Sequence, residues 1–175
     1  MKNFERCILK RVLPIFTVIV LVFIIVMIFV SMANEKKMVV IHEGNHEHKP
    51  VDITLNHFQD TQCGMTIETL KHSAQAVAPD GKTWFFDDPG CMALWYKNIK
   101  FQEKAIIWVY TNDTNTYIDG KKAWYDKISE TTMGYGFGAF ENKKEGMINF
   151  EEMTLKMYRG ENLTNPLIRK KLLGK

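Results

Sequence analysis

The sequence predicts an α+β fold: two small ββαβ-like halves forming one compact domain, preceded by a single N-terminal transmembrane helix. Three observations predict it. A long uncharged apolar run lies near the N-terminus. Short strand and helix signals, punctuated by turn residues, alternate after that run. The remainder of the 175 residues is one domain's worth of chain. With 46% hydrophobic and 25% charged residues, the composition excludes a disordered or collagen-like chain. Three cysteines are too few for a disulfide scaffold.

Residues 12–30 carry no charge and are dominated by Val, Ile, Leu and Phe, enough to span a hydrocarbon core of about 30 Å. Pro14 falls in the first turn, where its missing N–H costs little. Before the run, Lys2, Arg6, Lys10 and Arg11 face only Glu5, so the tip should stay in the cytoplasm and the rest should cross. A cleaved signal peptide is the alternative, with Ser31 and Ala33 as small residues at the cleavage positions. Its apolar core is usually shorter, about 7–15 residues, which favours an uncleaved anchor. No cysteine follows the run to accept a lipid. Beyond Arg11, 19 basic residues balance 19 acidic ones, so no positive excess is left to attract nucleic acid.

The expected organisation is a cytoplasmic basic tip (1–11), a transmembrane anchor (12–33), a histidine-bearing tether (34–52), a folded domain (53–160) and a basic amphipathic tail (161–175). A short strand is expected at 38–41. Residues 73–78 and 83–86 form a hairpin around the turn Pro79-Asp80-Gly81-Lys82. Asp88 caps a helix with Pro89 at its first position, running to about Lys97. Residues 105–110 are an uninterrupted apolar run of strand length. The second half is expected to repeat this rhythm: a strand at 116–118, a short helix at 120–127, a glycine-laced loop at 133–140 passing into a strand, a helix at 141–150 and a strand at 154–158. The tail, 163–173, is either a solvated helix or an interfacial foot.

All five histidines, His42, His46, His48, His57 and His72, fall in one window that also holds Cys63-Gly64-Met65; Cys91-Met92 follows. Thiolate and thioether sulfurs select Cu(I), and imidazole can complete its shell. Glycine between Cys63 and Met65 relieves the turn that would bring both sulfurs to one ion. Plainer readings stand beside this one. Cys63 and Cys91 would suit a structural disulfide in an oxidising compartment. Met65 and Met92 would suit packing. His42, His46 and His48 would suit a solvated tether. Asp88 is explained by capping, and Met147, Met153 and Met157 by core filling. No hydrolase triad order, HExxH, phosphate loop or dinucleotide fingerprint is present.

Four blocks in order resemble the NosL family of membrane-attached periplasmic copper-binding proteins, named for an accessory role in maturing nitrous oxide reductase. They are Cys63-Gly64-Met65; Phe86-Asp87-Asp88-Pro89-Gly90-Cys91-Met92; Tyr117-Ile118-Asp119 with Lys122-Ala123-Trp124-Tyr125; and Met133-Gly134-Tyr135-Gly136 through Ala139-Phe140. The resemblance covers about residues 62–152. It implies Cu(I) on Cys63 and Met65, with Met133 as the methionine of the family's Pro-Met-Gly block. Thr132 stands where that proline is usual, and the helix-forming block matches a version of the family seen outside denitrifiers.

The expected function is a non-enzymatic Cu(I) chaperone on the periplasmic side of the inner membrane, single-pass, handing copper to a client such as nitrous oxide reductase or its assembly machinery. Cys63, Met65 and Met133 are the expected ligands, and Cys91, Met92, His57 and His72 are further candidates. The alternatives are a thiol–disulfide redox protein or a disulfide-stabilised interaction domain built on Cys63 and Cys91. The redox reading lacks a Cys-x-x-Cys arrangement.

Overall fold

The computed structural model describes residues 2–33 and 37–174, with side chains from 14–31 and 37–174. Residue 1, the tether residues 34–36 and the last residue of the tail lie outside the described residues, as do the side chains of the basic tip, Cys7 among them. The chain divides into two units, Met1–Lys37 and Met38–Lys175.

The first unit is one helix, α1 (Lys2–Ala33), with Pro14 inside it. From Pro14 to Ser31 every side chain is exposed, and the stretch is long and apolar enough to cross a membrane. Such a helix serves either as an anchor or as a signal sequence.

The second unit mixes helix and sheet. Five strands, β1 (Ile41–His42), β2 (Ala74–Val77), β3 (Thr83–Phe86), β4 (Ile106–Tyr110) and β5 (Tyr117–Asp119), form an antiparallel sheet in the order β1-β3-β2-β4-β5. The hairpin pairs Ala74 with Phe86 and Val77 with Thr83, and β4 joins the other edge of β2. All four residues of central β2 are buried, because both faces of the sheet are covered. On one face Ala74, Ala76, Phe86, Ile107 and Val109 pack with α2 (Pro89–Tyr96) and α3 (Phe150–Tyr158) into the main core. On the other, Phe85 packs with Phe58 and Ile67, backed by Val39, Val51 and Ile53.

Residues 38–51, expected as tether, are strapped onto this second face. The buried Gln75 amide donates to the Val51 carbonyl and its oxygen accepts from Val51 N–H, both at 2.8 Å. Trp108 Nε1 donates to His48 O at 2.9 Å. These bonds satisfy polar groups that burial would otherwise penalise.

The first half follows the expected strand–strand–helix–strand order. In the second half three expectations are corrected. Residues 120–127 form no helix. Instead β6 (Trp124–Tyr125) pairs with β7 (Ala139–Phe140), and Gly120 lies so close under β4 that a Cβ there would meet Ile107 at 2.7 Å. Residues 141–149 are turns and a bridge, and the helix begins only at Phe150. Residues 154–158, expected as a strand, belong to that helix. Asn149 caps it by accepting from Glu152 N–H, and Phe150, Met153, Thr154 and Met157 line its buried face at helical spacing. The tail forms α4 (Pro166–Leu173).

Candidate metal centre

The centre is built where the 60–65 loop, the end of β3 and the start of α2 meet. Asp60 organises the loop. Its Oδ1 accepts from Gln62 N–H at 2.6 Å and Cys63 N–H at 2.9 Å, and its Oδ2 accepts from Asp87 N–H at 2.9 Å. Its main-chain N–H donates to Met65 O and its carbonyl accepts from Gly64 N–H. Gly64, at φ +77°, takes the left-handed conformation that this tight loop requires. Asp60 therefore spends both carboxylate oxygens on backbone donors, in the manner of an Asx turn.

A second aspartate fastens the other side. Asp88 caps α2 with Oδ1 on Gly90 N–H at 2.7 Å, while its Oδ2 accepts from Met133 N–H at 2.9 Å. The Thr132 hydroxyl donates to Asp87 O at 3.0 Å, so the residue standing in place of proline is itself an anchor. Tyr135 lies against Gly90 so closely that a Cβ there would sit 2.4 Å from its ring. Two carboxylates thus bind the segments carrying Cys63, Cys91 and Met133 into one unit.

Between them lies one group of ligand atoms. Among the described residues, Asp60, Cys63, Asp87 and Cys91 each offer an atom, all within 4.8 Å of one another. Cys63 is exposed and Cys91 buried, and both are free thiols. Cys63 Sγ lies 3.9 Å from Asp87 Oδ1, and Asp87 Oδ2 is a buried oxygen without a hydrogen-bond partner. No salt bridge among the described residues reaches Asp60, Asp87 or Asp88.

The cluster is acidic and short of positive charge. Burial pushes the Asp87 carboxyl up to about 8, helped by the neighbouring carboxylates of Asp60 and Asp88. Burial, then the neighbouring carboxylates, raises the Cys91 thiol; burial also raises that of Cys63, with Met65 N–H opposing. A cation would relieve all of these at once.

The donors fit a soft ion. With Asp60 engaged by backbone, the two thiols are the strongest donors left, and Asp87 is the one carboxylate with a free oxygen. Met65 is 46% exposed beside Cys63, and Met133 is half-buried against the main core. Met92 is fully buried in that core. His57 and His72 lie outside the cluster. His72 is buried, with burial and Lys71 lowering its pKa and Asp126 opposing.

The chain is similar to the crystal structure of the copper chaperone NosL from Shewanella denitrificans. The two share 16% identity over 59% of this chain and 95% of that one, with a TM-score of 0.47. No protein-family model matches the chain, and no curated protein does.

Sequence reasoning named both cysteines but missed Asp60, and it explained Asp88 by capping and gave Asp87 no role. The signal for Asp60 was its place two and three residues before Gln62 and Cys63, the spacing of an Asx turn.

A pH dependence follows. The ordinary Asp87 carboxyl titrates near 3.8, the folded one near 8. Folding therefore takes up a proton between those values, and the stability of the metal-free, reduced protein should fall as pH rises from about 4 to 8, then level off. Urea midpoints across that range should show the decline, and Asp87→Asn should flatten it. A flat wild-type profile would contradict the assignment.

Proposed function

We propose that the domain binds one Cu(I) ion between the thiolates of Cys63 and Cys91, with the thioethers of Met65 and Met133 completing the shell. The ion is cargo. The domain passes it by ligand exchange to a copper-receiving client on the extracytoplasmic side, and α1 anchors the domain to the inner membrane. The single observation that carries this reading is the meeting of two free thiols in an acidic cluster without a cationic partner. Two thiolates exclude calcium, the thioethers of Met65 and Met133 favour Cu(I) over zinc, and an exposed Cys63 keeps the site open to a partner. Nitrous oxide reductase or its assembly machinery is one client that the family resemblance implies. No bond in a substrate need be made or broken, so the role is not enzymatic.

Anaerobic titration of the reduced chain against a chromophoric Cu(I) competitor tests it. About one Cu(I) should bind, in preference to Zn(II), and both thiols should become protected from alkylation. Equal affinity for Zn(II), or full thiol reactivity in the loaded protein, would refute it. Met65→Leu should weaken Cu(I) binding while changing stability by less than about 1.5 kcal/mol, since volume is conserved. Met92→Leu, in the core, should leave the affinity unchanged.

A further inference from the structure

The C-terminal helix has a charge and exposure pattern that copper binding does not explain. Residues 38–161 hold 13 basic and 18 acidic side chains, a formal charge of −5; residues 162–175 hold Arg169, Lys170, Lys171 and Lys175 and no acid, +4. The domain is thus an acidic body with one basic end. On α4, Ile168, Lys171 and Leu172 line a cavity against the body with Lys127, Lys156 and Glu161. Leu167, Lys170 and Leu173 lie off that cavity, and Lys171, at its rim, is exposed. Leu167 is 79% exposed and Leu173 40%, and Lys170 and Lys171 stand one turn from Leu167. A leucine that exposed, flanked by lysines, is a poor solvent face and a good interfacial one. Asn165 caps the helix start and Gly174, left-handed, ends it, so the surface is preformed.

We propose that α4 is a foot that rests on an anionic phospholipid surface, with Lys170 and Lys171 on the headgroups and Leu167 entering the interface. Charge complementarity selects this occupant, because the acidic body is repelled from the same surface and leaves α4 as the contact. The proposal rests on reading α1 as an anchor, which keeps the foot at high effective concentration near the bilayer. It also deepens the copper reading. Leu163, just before α4, donates its N–H to Tyr135 O at 3.0 Å, and Tyr135 lies on Gly90 beside Cys91. A docked foot therefore holds the copper centre close to the membrane, where a membrane-embedded donor or acceptor would meet it.

The full chain in nanodiscs tests it by hydrogen exchange, in discs of phosphatidylcholine alone or with phosphatidylglycerol. In the anionic discs the amides of α4 should exchange roughly tenfold more slowly than in neutral ones. High salt should erase the difference, as should Lys170→Glu with Lys171→Glu, while β2 stays protected throughout. Co-elution with discs reads the anchor separately. A chain that joins neither disc refutes the anchor and the foot together. A chain that joins both but shows no lipid-dependent protection refutes the foot alone. Equal protection in both discs would mean that α4 is covered by protein, its own body or a second copy, and would also overturn the proposal.

Discussion

Cys63→Ser should lower Cu(I) affinity by more than about a hundredfold while the domain stays folded. Loss of a partner outside the coordination shell typically costs 10–100-fold, and a sulfur that touches the metal should exceed that. Serine offers a hard oxygen in place of a soft thiolate. Because Cys63 is exposed, the substitution removes little buried surface, and the melting temperature should hold within a few degrees. Cys91→Ser should lose affinity to the same degree but also some stability, because its hydroxyl would enter a buried site. Competitor titration beside thermal unfolding separates the two effects. Undiminished copper binding in Cys63→Ser would end the case for this centre.

Asp60→Ala should do the opposite: it should damage the scaffold first. Three backbone N–H groups, those of Gln62, Cys63 and Asp87, lose their acceptor together. An unsatisfied buried donor costs about 1–3 kcal/mol, so a total near 3 kcal/mol is expected, with the part-buried loop donors at the low end. Copper affinity should fall 10–100-fold without loss of any ligand. Asp60→Asn, which keeps one carbonyl oxygen, should fall between. Removing the Asp60 charge should also bring the Asp87 carboxyl down towards its ordinary range, so the pH at which stability levels off should shift to lower values. Urea unfolding across pH reads both. A variant with wild-type stability and an unmoved pH profile would show that Asp60 does not hold the centre together.

These variants also mark what was legible in the sequence. The hairpin, the capped helix and β4 could be read because their signals are local. Pro79–Gly81 makes the turn, and Asp88-Pro89 makes the cap. The second half depended on long-range pairing. Trp124-Tyr125 becomes a strand because Ala139-Phe140 lies beside it, and no spacing within residues 120–127 declares that. For α3 the signal was present and misread. Asn149 with Glu152, followed by Phe150, Met153, Thr154 and Met157, has a helical period. At the centre, the residue types were visible but their convergence was not. Cys63 and Cys91 meet because Asp60 ties the loop to the end of β3, a bond between residues 27 apart in the chain.

The unequal exposure of the two thiols has a kinetic consequence. Cys63 is exposed and Cys91 is buried. An incoming ligand must approach from the outer side, so the copper–sulfur bond to Cys63 would be the first to break and that to Cys91 the last. Handover then has a direction. The outer thiol would govern how readily a partner engages, and the inner one how long the ion lingers once engagement has begun. Substitutions at the two positions would accordingly alter different steps of the same transfer.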